Sequence, residues 1–242
     1  MNALFYNSDP SPEQLMEKVY VKGKTQNKEN PIAPEFAELI IYTESKKLKT
    51  SEENFWKTAL KTWNFRHINS IEEAKTLKLA KKDGSDFVRH TSNQFVRVYP
   101  HWSRQDSSNY NPIPAWAVGC QMVALNYQTT GQNTLLNKAK FRLNGNTGYI
   151  LKPKFLRNIS GHFNPSDPET FPKHRKYPTE FKIKIISGQQ LPKDGTCDIV
   201  DPYIAVKIHG ADVDQTAKNT YETKSVKNNG FCPQWDETFA LS

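Results

Sequence analysis

The sequence predicts an α/β domain followed by a smaller all-β domain, and three observations carry that prediction. Up to about residue 157, short apolar and aromatic runs (Leu39–Tyr42, Phe95–Tyr99, Cys120–Leu125) alternate with helix-like segments, the pattern of strands joined by helical crossovers. Beyond residue 181 only strand-like runs remain, separated by turn residues. Between the two, residues 158–180 are polar and aperiodic and hold four prolines (Pro165, Pro168, Pro172, Pro178), the composition of an interdomain linker.

The elements follow in order. Ser11 reads as an N-cap with Pro12 at the first helical position, opening a short helix over Ser11–Leu15. Val19–Val21 suggests a short buried strand, Lys24–Pro34 a polar loop, and Leu39–Tyr42 the next strand. Ser51 to Trp56 opens one helix. Ser70-Ile71-Glu72-Glu73 has the S-x-x-E form of a capping box and opens another, which runs through Leu77–Ala80 and stops at Asp83-Gly84. Phe95–Tyr99 is a strand ended by Pro100. Cys120–Leu125 is almost wholly apolar, as expected of a strand covered on both faces. Phe141–Leu143, the Asn144-Gly145 turn and Tyr149–Leu151 suggest a hairpin-like pair. In the tail, Phe181–Ile186 and Tyr203–Ile208 read as strands, with turns at Lys193–Gly195 and Asn229-Gly230.

Composition narrows the function classes. No apolar run approaches the roughly 18 residues that would span a bilayer. The first nine residues have neither the basic flank nor the apolar core of a secretory leader. Cys120, Cys197 and Cys232 are odd in number and far apart, which fits reduced thiols better than a disulfide framework or a zinc site. The net charge is +8, concentrated between Lys46 and Lys82, where ten Lys/Arg face four Asp/Glu. Such a face could meet nucleic acid, anionic lipid or phosphorylated small molecules, although a solvated helix surface accounts for the charge alone.

Three stretches carry more specific information. Arg97-Val98-Tyr99-Pro100 is followed by Asp106-Ser107-Ser108-Asn109-Tyr110-Asn111-Pro112, Trp116 and Gly119–Thr129, and then by Gly148-Tyr149-Ile150-Leu151-Lys152-Pro153. Together they resemble the Y region of eukaryotic phosphoinositide-specific phospholipases C. Ser11–Leu15 with Val21–Lys24 is similar to the end of that family's X region. Ile199–Tyr203 and Asn228–Trp235 are similar to the first half of its C2 domain.

The resemblance implies the second half of a distorted TIM barrel followed by a truncated all-β C2 sandwich. It divides the chain into the end of the X region (1–24), an X–Y linker (25–35), the Y region (36–157), an interdomain linker (158–177) and a partial C2 domain (178–242). Barrel enzymes place their sites at the carboxyl ends of strands. By resemblance, Lys22 and Lys24 match phosphate-binding lysines, and their i, i+2 spacing on a strand would point both to one face. Arg97 matches a phosphate-gripping arginine, Ser70 a serine donating to the same phosphate, and Tyr99 a tyrosine packed on the inositol ring. Apart from the resemblance, the lysines read as solvated strand ends, Ser70 as an N-cap, Arg97 as a surface residue and Tyr99 as a core aromatic.

The family's reaction is attack of the inositol 2-hydroxyl on its own phosphodiester, releasing diacylglycerol, followed by hydrolysis of the cyclic phosphate. It uses two histidines and a calcium ion held by carboxylates and an asparagine, all in the X region. None of His67, His90, His101, His162, His174 and His209 sits in a matching motif, so no catalytic residue is assigned in this chain. In the C2-like tail, Ile199 through its carbonyl, Asp201 and Asn228 match positions near calcium. The expected function is hydrolysis of phosphatidylinositol bisphosphate in lipid signalling, with this chain as a part lacking the catalytic histidines. The alternative is a non-catalytic module that binds phosphoinositides or membranes. Expected partners are the headgroup, an anionic membrane surface and a separate X-region chain if the enzyme is split. Nucleic acid is not expected, and the location is cytoplasmic and peripheral to the membrane.

Overall fold

The computed structural model describes residues 11, 13–19, 21–25, 32–50, 55–62, 64–172, 180–192, 195, 200–210 and 220–241. The chain divides into two units, Met1–Thr170 and Phe171–Ser242.

The first unit is built on a four-stranded sheet of β1 (Glu44–Lys46), β2 (His67–Glu72), β3 (Phe95–Tyr99) and β4 (Met122–Val123), in that order. All pairings are parallel, and Gly23 extends the sheet by an isolated parallel bridge to Glu44. The helices are α1 (Pro34–Glu38), α2 (Phe55–Lys61), α3 (Glu73–Lys82), α4 (Gly84–Asn93), α5 (Ile113–Ala117) and α6 (Gln132–Phe141). Parallel strands need such crossovers because a tight hairpin cannot join them. One face of the sheet builds the core. Ile71, Val96 and Val98 pack with Trp56, Leu79, Phe87, Val88, Val118 and Leu125, and Phe87, Val96 and Val98 are wholly shielded from water.

The second unit contains two antiparallel ribbons. In one, β5 (Phe181–Ser187) pairs with β8 (Gln234–Leu241); in the other, β6 (Ala205–Lys207) pairs with β7 (Thr220–Glu222). Trp235 and Phe239 are buried, and the Tyr221 and Phe239 rings stack at 3.9 Å.

Several sequence expectations are corrected. Val19 is 88% exposed and, like Val21, lies in no strand, Tyr20 lies outside the described residues, and Gly23 bridges to Glu44. Leu39–Tyr42 is not a strand, because Leu39 and Ile40 turn back onto the carbonyls of Phe36 and Ala37 to end α1. Ser70 is no N-cap. It sits inside β2, paired with Arg97, and α3 begins only at Glu73 without a side-chain cap. The ladder to β3 has captured backbone that the capping pattern assigned to a helix start. Gly84 does not stop a helix for long, since α4 begins on it. Only Met122–Val123 of the run Cys120–Leu125 forms a strand. Phe141 ends a helix rather than opening a hairpin, and α6 escaped notice because its buried face is polar (Thr134, Asn137) while Leu135 is exposed.

Phe95–Tyr99, the end of α3 at Lys82 and β5 stand as read. Ser11 and Gln14 exchange hydrogen bonds around a single 3-10 turn, Glu13–Leu15, while Pro12 lies outside the described residues. Residues 51–54 and the Lys193-Asp194 part of a turn also lie outside them.

Candidate functional site

Side chains alternate across a strand, so the buried set fixes where the others point. Ile71, Val96 and Val98 face the core, which puts Ser70, Glu72, Arg97 and Tyr99 on the opposite face. The register sets Ser70 beside Arg97 and Glu72 beside Tyr99, and the Arg97 guanidinium lies 5.6 Å from the centre of the Tyr99 ring. These residues occupy the carboxyl ends of β2 and β3, where barrel folds place their chemistry.

The lysines join from the sheet edge. A side chain at Gly23 would point at Ile40, its Cβ only 2.5 Å from Ile40 Cδ1, so the flanking Lys22 and Lys24 turn the other way and are exposed. Burial lowers the proton affinity of Lys22, and the positive charge of Arg97 lowers it further. In a flat sheet their strands would lie about 14 Å apart, three spacings of ~4.8 Å. Even so, the charge of Arg97 acts on Lys22. Beside Arg97, Ser70 Oγ is buried with no hydrogen-bond partner among the described residues, an arrangement that calls for an explanation. Glu72 puts a carboxylate on the same face, its Oε2 3.6 Å from His101 Nε2.

The loops beyond these strand ends are tied together. Asn109 Nδ2 donates to the carbonyl of Asn126 (2.9 Å), Asn126 N–H donates to Asn109 Oδ1 (2.6 Å), and Asn126 Nδ2 donates to the Ser108 carbonyl (3.2 Å). Tyr110 OH donates to the Ala124 carbonyl at 3.0 Å, and Asn133 Nδ2 to the Asn109 carbonyl at 2.8 Å. The Asp106–Tyr110 motif is thus a knot between the loops after β3 and β4. Sequence reasoning missed two features here. Glu73 and Arg104 form a salt bridge (Arg104 Nε to Glu73 Oε1, 2.6 Å), and Trp102, just past β3, is 78% exposed. The S-x-x-E pattern drew attention to Glu73 but assigned it to a cap.

Two clefts lie on the helix side of the sheet. A cavity of about 630 Å³ is lined by Trp56, Leu60, Lys82 and Arg89, and one of about 240 Å³ by Lys46, Asn69, His90 and Gln94. Both adjoin the helix layer, and neither is lined by Lys22 or Arg97. The face that carries those two residues is open.

Among the described residues no three His, Cys, Asp or Glu side chains come together as a metal site. His90 is 3% exposed and held neutral, its proton affinity pushed down to about 4 by burial. In the second unit Asp201 Oδ1 accepts the Asn228 N–H (2.7 Å) and Oδ2 the Lys227 ammonium (2.9 Å). Asp201 and Asn228 thus bond to each other and to Lys227, and calcium would need about six to eight oxygen ligands in all. Ile199 lies outside the described residues.

The family model for the Y domain of phosphatidylinositol-specific phospholipase C matches residues 36–155, and the C2 domain model matches residues 179–242. The chain is 47% identical over 176 residues to 1-phosphatidylinositol 4,5-bisphosphate phosphodiesterase delta-4 of Xenopus laevis, covering 71% of this chain and 22% of that protein. It is 40% identical over 218 residues to the zeta-1 enzyme of Mus musculus, covering 90% and 32%. Among solved structures, it superposes on crystalline PLC21 from L. pealei with a TM-score of 0.77 at 28% identity, over 96% of this chain and 31% of that one. PLC21 from S. officinalis gives 0.76 at 28% identity. The chain therefore spans about a fifth to a third of the length of these relatives.

Proposed function

Because this chain belongs to the eukaryotic phosphoinositide-specific phospholipase C family, carrying its Y region followed by C2 sequence, we propose that it supplies the inositol-phosphate-gripping part of an enzyme hydrolysing phosphatidylinositol bisphosphate to diacylglycerol and inositol phosphate. The proposed division is X-region end 1–24, linker 25–35, Y region 36–157, linker 158–177 and C2 sequence 178–242. The relatives in frog and mouse bear the name of phosphodiesterases acting on that lipid.

The observation that carries the reading is the pairing of like charges beside an orphaned hydroxyl. Lys22 and Arg97 repel one another, and buried Ser70 Oγ has no partner among the described residues. A ring phosphate between them answers both problems. It neutralises the cations, accepts a forked pair of hydrogen bonds from Arg97 and accepts one more from the Ser70 hydroxyl. Lys24 adds charge at the sheet edge. Tyr99, two residues along β3 on the same face, gives the inositol ring an aromatic surface to rest on. The role of these residues is to hold the headgroup so that its 2-hydroxyl and phosphodiester are presented in one orientation.

In this family calcium supplies positive charge to the phosphodiester. The described residues of this chain offer no cluster to hold it, and we assign its barrel ligands to the X region. No helix among the described residues is long and apolar enough to cross a membrane. We infer peripheral attachment from the cytoplasmic side, with exposed Trp102, beyond the carboxyl end of β3, turned toward the lipid surface.

The test is hydrolysis of phosphatidylinositol bisphosphate by the purified chain with calcium, alone and mixed with a separately expressed X region. Turnover only on mixing, lost in Arg97→Ala and Lys22→Ala, supports the proposal. Turnover by the chain alone would overturn the assignment of the acid–base groups to the X region. Silence in both, with headgroup binding intact, would favour a non-catalytic phosphoinositide-binding module.

A further inference from the structure

We infer that Glu73 and Arg104 form a clamp that sets the geometry of the phosphate grip, acting as positioning residues for Ser70, Arg97 and Tyr99. The inference rests on the anion-binding reading above. Glu73 is the first residue of α3, directly after β2, while Arg104 lies in the loop after β3. Glu73 Oε1 accepts Arg104 Nε at 2.6 Å and the His101 N–H at 2.8 Å, and Oε2 accepts Arg104 Nη2 at 2.8 Å. This is the two-pronged fit of a planar guanidinium to a carboxylate, which fixes orientation as well as distance. The Glu73 side chain is 11% exposed and that of Arg104 28%, so the pair is shielded more than an ordinary surface bridge. Burial alone would raise the Glu73 carboxyl, yet the Arg104 and His101 hydrogen bonds hold it below its ordinary range.

The pair is also a link in a longer chain of bonds. Arg104 Nη1 donates to Ser108 Oγ (3.1 Å), the Ser108 carbonyl accepts Asn126 Nδ2, and Asn126 in turn is knotted to Asn109. The ends of β2, β3 and β4 are thereby joined through one network, and β2 enters it at Glu73. Ser70 lies three residues before Glu73, and Tyr99 two residues before His101, which the same carboxylate holds. Arg104 is a cation near the mouth of the site, but its charge is spent on Glu73, so it does not compete with Arg97 for phosphate. A glutamate in the first turn of a helix ordinarily serves the helix dipole. Here its carboxylate is turned onto the neighbouring loop.

The test is calorimetric titration of the purified chain with inositol trisphosphate and, separately, inositol monophosphate as probes. Wild type is compared with Glu73→Gln, Arg104→Ala, Arg104→Lys and Glu73→Asp, and the melting temperature of each is recorded. Misplacing a grip by a fraction of an ångström to an ångström should weaken trisphosphate binding by roughly tenfold. Monophosphate binding should fall much less, so the affinity ratio between the probes drops. Arg104→Lys keeps the charge and loses the fork, and is expected to lower the ratio as Arg104→Ala does. Glu73→Asp should restore part of it. If the variants lose melting temperature while the folded protein keeps the wild-type ratio, the pair is merely structural and the inference is overturned. A wild type that binds neither probe overturns the anion-binding reading, and this inference with it.

Discussion

His90 offers the sharpest quantitative test of the fold beneath the site. Its Nε2 lies 2.8 Å from Asn69 Oδ1, and Asn69 Nδ2 donates to the Lys46 carbonyl at 2.9 Å, so the imidazole reaches β1 through a residue adjacent to Ser70. With the Asn69 amide nitrogen committed, Oδ1 must accept, and the ring donates in its neutral form. Burial pushes the proton affinity of His90 from 6.5 down to about 4. Above about 6.5 neither the folded nor the unfolded chain protonates His90, and the full stability is present. Between the two values the unfolded chain binds a proton that the folded one refuses, so stability falls as pH falls, and below about 4 the loss is complete. The interval from 6.5 to about 4, at roughly 1.4 kcal/mol per pH unit, amounts to about 3 kcal/mol. His90→Gln keeps a donor for Asn69 and removes the titration. Urea unfolding followed by tryptophan fluorescence should show the wild-type advantage over this variant shrinking by about 3 kcal/mol between about pH 7.5 and about pH 4. Four of the five tryptophans precede residue 171, so the signal belongs mainly to the first unit. Subtracting the variant cancels the other groups that titrate over this range. An advantage that does not change with pH would show that His90 is protonated, or open to water, in the folded chain.

Three further outcomes are expected. Phe87→Ala empties a fully buried position whose ring centre lies 5.2 Å from that of Trp56. It should cost about 3–5 kcal/mol in urea unfolding, and a loss below about 1 kcal/mol would mean the core collapses around the gap. Gly119 has φ +80°, and a Cβ there would lie 2.7 Å from Thr91 Oγ1, which bonds the Val118 carbonyl at 2.6 Å. Gly119→Ala should therefore lower stability by roughly 1–3 kcal/mol, and an unchanged melting temperature would contradict the strain argument. Burial pushes the Cys120 thiol up to about 12, whereas Cys232 is exposed. A thiol reagent should therefore label native chain equally with or without Cys120→Ser and less after Cys232→Ser; native labelling that drops on losing Cys120 would refute its burial.

What the sequence disclosed follows the physics of each element. Phe95–Tyr99 was legible because its alternation is a local property of a strand with one face on a core. The family match was legible because the Asp106–Tyr110 region is long and ordered. Its structural meaning was not, since hydrogen bonds between residues some 17 positions apart, such as Asn109 to Asn126, leave no local signal. Ser70 shows the competition most plainly. Its neighbours spell a capping box, but parallel pairing on both edges of β2 outweighed the cap and left the hydroxyl beside Arg97. The α6 helix hid for the opposite reason, because its inward face serves the Asn109 knot through Thr134 rather than an apolar core.

The same competition between local comfort and site geometry governs Lys22. Left to itself, a sheet-edge lysine would turn to water, and an arginine two strands beyond its neighbour would find a carboxylate. Lys22 is exposed, yet its partial burial and the Arg97 charge both weaken its hold on its proton, and the Glu72 carboxylate on that face is near His101 at the rim. On the proposed reading, holding two cations together costs some stability, which a bound anion returns. Linkage requires the converse: whatever relieves the repulsion must raise the proton affinity of Lys22. Carbon-13 methylated lysine followed by NMR across an alkaline titration would report this directly. The Lys22 resonance should titrate at higher pH in Arg97→Ala than in wild type, and higher again in wild type saturated with inositol trisphosphate. If Arg97→Ala raises it but the ligand does not, the two cations are close for a reason other than phosphate. If neither does, the repulsion that carries the functional reading is absent.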